Sequence, residues 1–178
     1  MGRKPTITRE GLLDVAEDLV RRRGAGALTI GALAQAAGVS KGGVQYAFAS
    51  KDDLVRALVG RWTAQFDALL EVGPDADPVT FARRFIAANR ASGEVMDAKM
   101  AGLLVSYLEN PDNRQETRDW YRDIFARLDG TSADAQAARV AFLAVEGIFL
   151  MHMNGIDEHR EWLSFLDDVE ALLVRVTT

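Results

Sequence analysis

IGALAQAAGVSKGGVQYAF, residues Ile30 to Phe48, is the stretch on which the fold turns. Its small and apolar residues fall where two short helices must cross closely over one turn. Ala34 is small at the point of closest approach, Gly38 suits the positive φ of the turn, and Val39 follows as the inward residue beyond it. Leu33, Ala37, Val44 and Ala47 supply a shared inner face. Gly38 reads as the stop of the first of these helices and Ser40 as the N-cap of the second. Agreement at so many positions in one register predicts a helix-turn-helix.

Outward from this motif the chain reads as helix almost throughout. Thr8 caps a first helix whose Leu12, Ala16, Leu19 and Val20 form an apolar stripe, with Arg21 to Arg23 at the C-terminal end, where cations suit the dipole. Thr29 caps the second, Ser40 the third, and Ser50 a long fourth helix reaching about Val72, with Leu54, Leu58, Trp62, Phe66 and Leu69 at helical spacing. The segment Gly73-Pro74-Asp75-Ala76-Asp77-Pro78 breaks the pattern. Further helices are expected over 79–91, 94–109, 111–128, 133–154 and 158–176, with Pro111 in a first turn and Gly130 and Gly155 as stops. No alternating β pattern, repeat or low-complexity tract occurs, so the fold class is all-α.

The net charge of −5 is unevenly spread. Residues 1–61 carry ten Lys or Arg against six Asp or Glu, and the remainder carries eleven against twenty. The basic part contains the motif, as phosphate binding requires. There is no cysteine, hence no disulfide framework or thiolate site, and a reducing cytoplasm is the expected compartment. No uninterrupted apolar run approaches a membrane span and no early apolar core suggests a signal peptide. Met1-Gly2-Arg3-Lys4-Pro5-Thr6 fits a loose myristoylation pattern, but Arg3 and Lys4 suit a basic arm better.

Residues 8–56 resemble the N-terminal domain of the tetracycline-repressor (TetR) family of bacterial transcription regulators. The resemblance is carried by Arg9 to Arg23 ending at Gly24, by Leu28-Thr29-Ile30, by Gly38-Val39-Ser40-Lys41-Gly42, by Phe48 and by Ser50-Lys51-Asp52-Asp53-Leu54. The chain departs from the usual family pattern at Gln45 and Ala47, where aromatics are common, at Ala49, often Pro, and at Gly43, commonly polar. The resemblance implies about nine helices in two domains: a three-helix DNA-binding head over residues 1–50 and a helical ligand-binding and dimerisation body over residues 51–178. It implies that Thr29, Ser40, Tyr46 and Lys51 contact phosphates, and that Lys41 and Gln45 are best placed for bases, since Lys reaches guanine acceptors and Gln bonds adenine bidentately. Gly42 and Gly43 weaken a helix by about 1 kcal/mol each relative to alanine, and close approach of backbone to DNA would explain them. Arg3 and Lys4 are expected to follow the backbone or enter the minor groove.

The body suits two tasks. For two-fold reading of an operator by a homodimer, one expected interface stripe is Ala138, Ala141, Phe142, Val145, Phe149 and Met153. The other is Trp162, Leu163, Leu166, Val169 and Leu173; paired with their copies, the two would make the four-helix bundle by which the family commonly dimerises. For sensing a small lipophilic effector, the expected pocket lies among the fifth to eighth helices. Phe81, Phe85, Met96, Met100, Leu103, Leu104 and Tyr107 are its candidates on the first two of these. Trp120, Tyr121, Phe125, Phe149 and Met153 are those on the last two. Glu146 interrupts the apolar run Phe142 to Met151 and is expected to meet a cationic ligand, to bond a partner such as His152, Tyr107 or Trp120, or to stay partly exposed.

Enzymatic chemistry finds little support. His152 and His159 are the only histidines and do not share a helical face, so neither they nor Asp157 and Glu158 are expected to hold a metal. No phosphate loop, serine elbow or helical metal motif occurs, and no catalytic residue or cofactor is expected. The expectation is a repressor, bound as a homodimer to a palindromic double-stranded operator and released by a small-molecule effector, with no membrane association. The alternative is a helical protein-interaction module without sequence-specific DNA binding.

Overall fold

In the computed structural model of the chain, which describes residues 7–73, 75–92, 98–157 and 161–177 (backbone alone over 98–101), each N-terminal helix begins at a side-chain cap. Thr8 Oγ1 accepts from Gly11 N at 3.1 Å and starts α1 (Arg9–Arg23). After a 3-10 turn (Ala25–Ala27), Thr29 Oγ1 accepts from Ala32 N at 3.0 Å and starts α2 (Ile30–Ala37). Gly38 ends α2 in the left-handed region at φ 66°, with Val39 N donating to Ala34 O and Gly38 N to Gln35 O, a paired C-terminal closure that a Cβ would strain. Ser40 Oγ accepts from Gly43 N at 3.1 Å and starts α3 (Lys41–Ala47). At α4 (Lys51–Leu70) the capping is reciprocal: Ser50 Oγ accepts from Asp53 N and the Asp53 carboxylate accepts from Ala49 N, both at 3.0 Å.

The remaining helices are α5 (Pro78–Ser92), α6 (Ala98–Glu109), α7 (Pro111–Arg127), α8 (Ala133–Met153) and α9 (Phe165–Val176), so nine α-helices and no strand occur among the described residues. Asp77 accepts from Thr80 N at 2.9 Å ahead of α5, and Ser132 caps α8. The expected helix 158–176 is divided. The Asp157 carboxylate accepts from Glu161 N and Trp162 N, which starts a 3-10 turn (Glu161–Ser164) before α9.

The chain forms two compact units, Met1–Trp62 with Lys99–Asn110, and Thr63–Ala98 with Pro111–Thr178. In the first, Leu12, Leu13 and Ala16 of α1, Leu33 of α2, Val44 of α3, Phe48, and Leu54 and Leu58 of α4 are all buried. The α6 helix belongs to this unit, and its backbone comes so near the turn after α1 that a Cβ on Gly102 would lie 3.0 Å from Ala25 Cβ.

In the second unit α5 packs on α8 and α9. Phe85 is its centre, with ring centroids 5.5 Å from Phe66, 6.1 Å from Phe81 and 4.7 Å from Phe142. Leu70 of α4, and not the expected Leu69, turns into this core. The stripe expected to pair with a second copy is used inside the chain: Ala138, Ala141, Phe142, Val145, Met153, Leu166 and Leu173 are buried, and Phe149, Trp162, Leu163 and Val169 half-buried. A different stripe is left outside, with Val140 at 68% and Leu143 at 56% exposure, followed by Leu150 on the same face of α8, and Phe165, Leu172 and Val176 on α9. The physical reason is that α8 is apolar on both sides, so its pattern does not reveal which side faces the core. By length and composition α8 is also apolar enough to cross a membrane, contrary to the expectation from uninterrupted runs. Its inner face is packed against α5 and α9, and its Arg139 bonds the carbonyls of Leu128 and Gly130, as a core helix does.

Candidate nucleic-acid interface and effector site

The third helix is short, and its apolar side determines where its polar side points. Val44 and Phe48 are buried against the first unit's core, and the Arg9 guanidinium lies 4.8 Å from the Phe48 ring centroid, closing that core from outside. With those residues held inward, Lys41, Gly42, Gly43, Gln45 and Tyr46 all face solvent, Tyr46 at 97% exposure. An aromatic left so bare on a rigid helix is available to a partner surface. A Cβ at Gly42 or Gly43 would meet only Ser40 and Val39 side-chain atoms, none nearer than 3.5 Å, so nothing in the fold itself demands glycine there.

The two capping hydroxyls border the same surface. Each uses a lone pair to accept a backbone N–H, at Ala32 for Thr29 and at Gly43 for Ser40, which leaves its proton for an outside acceptor such as a phosphate oxygen. Lys51 opens α4 and is exposed. Lys41 takes a course the sequence did not indicate: its stem passes over Gly31 on α2, beside Thr29. Arg3 and Lys4 lie outside the described residues.

The expected effector residues are divided between the units. Leu103 and Tyr107, both buried, and the half-buried Leu104 sit on α6 in the first unit. Burial raises the Tyr107 hydroxyl above its ordinary range, an effect that the positive charge of Arg56 partly offsets. Met96 and the Met100 side chain lie outside the described residues. In the second unit, Phe85, Trp120, Tyr121 and Phe125 surround or extend the aromatic core, while on α8 Met153 is buried and Phe149 half-buried. Phe142 meets Tyr121 at 6.4 Å and Phe125 at 5.5 Å, and Trp120 lies edge-on to Tyr121 at 4.9 Å.

Glu146, one turn beyond Phe142, finds a partner outside the expected three. Its Oε2 accepts from the Tyr121 hydroxyl at 2.5 Å. His152 is occupied elsewhere, with Nδ1 3.2 Å from the Asp157 carbonyl. Burial raises the Glu146 carboxyl above its ordinary range, and the hydrogen bond from Tyr121 offsets this only in part. Tyr121 is pushed strongly upward by burial and by the neighbouring carboxylate, so it stays a donor. The pairing joins residues on α7 and α8, a long-range match that no local spacing announces. An open groove of about 310 Å³ on α5, lined by Thr80, Arg83 and Arg84, includes none of the expected effector residues.

A helix-turn-helix with its polar face bare, attached to a helical body with an aromatic core, defines a DNA-binding regulator. Residues 12–58 match the bacterial regulatory proteins of the tetR family. Residues 79–174 match the tetracyclin repressor-like C-terminal domain, and this second match alone covers more than half of the chain. The chain therefore belongs to the tetR family of bacterial regulatory proteins, a family of transcription factors and not of enzymes.

Solved structures agree on the fold. The chain is similar to the TetR family transcriptional regulator PfmR from Thermus thermophilus, at 24% identity and a TM-score of 0.56 over 89% of this chain and 95% of that one. It is similar to a TerR/AcrR family regulator from Aquifex aeolicus, at 19% identity and 0.57 over 94% and 98%. It also resembles the fatty acid degradation regulator FadR from Bacillus halodurans, at 16% identity and 0.59 over 97% and 96%. No curated protein matches the chain.

Proposed function

We propose that the chain is a cytoplasmic repressor that binds a two-fold symmetric operator as a homodimer and leaves it when a small lipophilic effector binds the body. The observation that carries this reading is the bare polar face of α3, where Gln45 and Tyr46 stand exposed on a helix whose other side is locked in the core. That helix enters the major groove, and Gln45 reads a base edge there. Thr29, Ser40, Tyr46 and Lys51 hold phosphates on either side, and Arg3 and Lys4 extend the contact along the backbone. Function divides at residue 50, with the head before it and the effector-binding and dimerising body after it.

The outer stripe Val140, Leu143 and Leu150, with Phe165, Leu172 and Val176, is the proposed dimer interface, because these are large apolar residues that the chain leaves in water. Effector binding near Tyr121 and Glu146 favours a conformer with the wrong half-site spacing, and α4, which contributes residues to both units, carries the change. A reporter gene placed behind the chain's selected binding site tests the direction of control. Repression by the chain, relieved by a lipophilic effector, is expected; activation would overturn the repressor assignment.

A further inference from the structure

A lysine at the first position of a groove helix is expected to reach for guanine, but Lys41 is turned the other way. A Cβ placed on Gly31 would lie 3.2 Å from Lys41 Cε, 3.6 Å from Lys41 Nζ and 3.9 Å from Thr29 Oγ1. The stem of Lys41 thus lies against the space a side chain at residue 31 would fill, and its ammonium and the Thr29 hydroxyl both border that space. No carboxylate pairs with that ammonium among the described residues. The Thr29 hydroxyl already accepts from Ala32 N, so its proton is the part left to bind an anion. Ammonium and hydroxyl flank one spot closely enough for the oxygens of a single phosphodiester to meet both.

We propose that Gly31 assigns Lys41 to the DNA backbone: by lacking a side chain it lets Lys41 lie back over α2, where Lys41 and Thr29 grip one phosphate together. Base reading is then left to Gln45 and to the bare helix surface at Gly42 and Gly43. The inference rests on the reading of α3 as the groove helix and refines it, since it exchanges an expected base contact for a positioning contact. An ammonium suits that role, being a compact point charge with freely rotating donors. Gly31 acts through Lys41. A methyl group at residue 31 would crowd Cε, which is mobile and would move away from α2 toward the groove.

The test compares the unaltered chain, Lys41→Ala, Gly31→Ala and the double variant, by selection of bound duplexes from a random pool and by affinity as a function of salt. Lys41→Ala is expected to keep the selected sequence, and to lower the slope of log affinity against log salt by about 0.9, the value for one phosphate. Gly31→Ala is expected to lower that slope as well and to add a preference at a base pair the unaltered chain ignores. Both effects should vanish when Lys41 is already Ala. The Gly31 change raises helix propensity and Lys41 is exposed, so both variants should fold. If Lys41→Ala changed the preferred base at one position and left the salt slope intact, Lys41 would be a base reader and the inference would fail alone. If the unaltered chain enriched no duplex, the groove-helix reading would fail and the inference with it.

Discussion

Arg61 of α4 holds Asp14 of α1 at 2.6 Å and bonds Glu17 through its other terminal nitrogen. Glu17 also accepts from Arg21 at 2.8 Å, so one carboxylate on α1 is shared by two guanidinium groups. Burial alone would raise the Glu17 carboxyl, but the hydrogen bond from Arg21 and the charge of Arg61 outweigh it and hold the group below its ordinary range. The long helix is thereby clamped to the helix on which the DNA-binding head is built.

Replacing Arg61 by Ala should cost about 2 kcal/mol, between the worth of an exposed ion pair and that of a buried one. The pH dependence has a definite sign. A carboxyl whose folded pKa is depressed contributes stability that is present above its unfolded value and is lost as pH falls through the folded value. Denaturant melts of the Arg61→Ala variant should therefore lose less stability on acidification than those of the unaltered chain. An equal acid loss in both would show that Glu17 is not held down by Arg61.

Glu146 has the opposite sign. Its folded pKa is raised, so the stability it contributes is fully present below the ordinary Glu value and is lost as pH rises through the raised one. Glu146→Gln keeps an acceptor for Tyr121 and removes the charge. The variant should equal or exceed the unaltered chain in stability at neutral pH, and the advantage should shrink in acid. Tyr121→Phe leaves the carboxyl without its donor and should cost about 1–2 kcal/mol. Thermal melts across this pH range check both, and a neutral-pH loss in Glu146→Gln would contradict the burial argument.

The two faces of α8 should respond differently to substitution. Phe142→Ala removes a ring from the aromatic core and should cost about 3–5 kcal/mol of folding stability. Leu143→Glu, on the outer stripe, should leave the monomer folded and shift sedimentation from dimer toward monomer. A dimer unaffected by charges at both Leu143 and Leu172 would place the interface elsewhere.

On DNA, Lys51→Ala should weaken binding to all sequences alike and flatten the salt dependence, since a phosphate contact carries no sequence information. Gln45→Ala should relax preference at one base pair by about 1–3 kcal/mol. Competition between selected and mismatched duplexes separates the two effects. A change of sequence preference in Lys51→Ala with the salt slope intact would reverse its assignment.

What the sequence made legible was local. Thr8, Thr29, Ser40 and Ser50 each sit just before a run of helical spacing, and each caps a helix. Gly38 was readable because only the left-handed region completes so tight a turn. What was hidden depended on partners far away in the chain. The apolar pattern of α8 fits either face against the core, and only packing on α5 selects Ala138 and Phe142 over Val140 and Leu143. Nor does any periodicity encode the membership of α6 in the first unit, where Gly102 approaches Ala25 closely. Lys41 was read by its position on α3, whereas its direction is decided by the empty side-chain site at Gly31.

Dimeric, sequence-specific binding is tested most directly by selection of duplexes from a random DNA pool by the purified chain at moderate salt, with the number of chains per bound duplex measured on the enriched sequence. A two-fold symmetric site occupied by two chains is expected. A pool that stays random, with weak binding abolished by modest added salt, would contradict it and leave only generic attraction to phosphate.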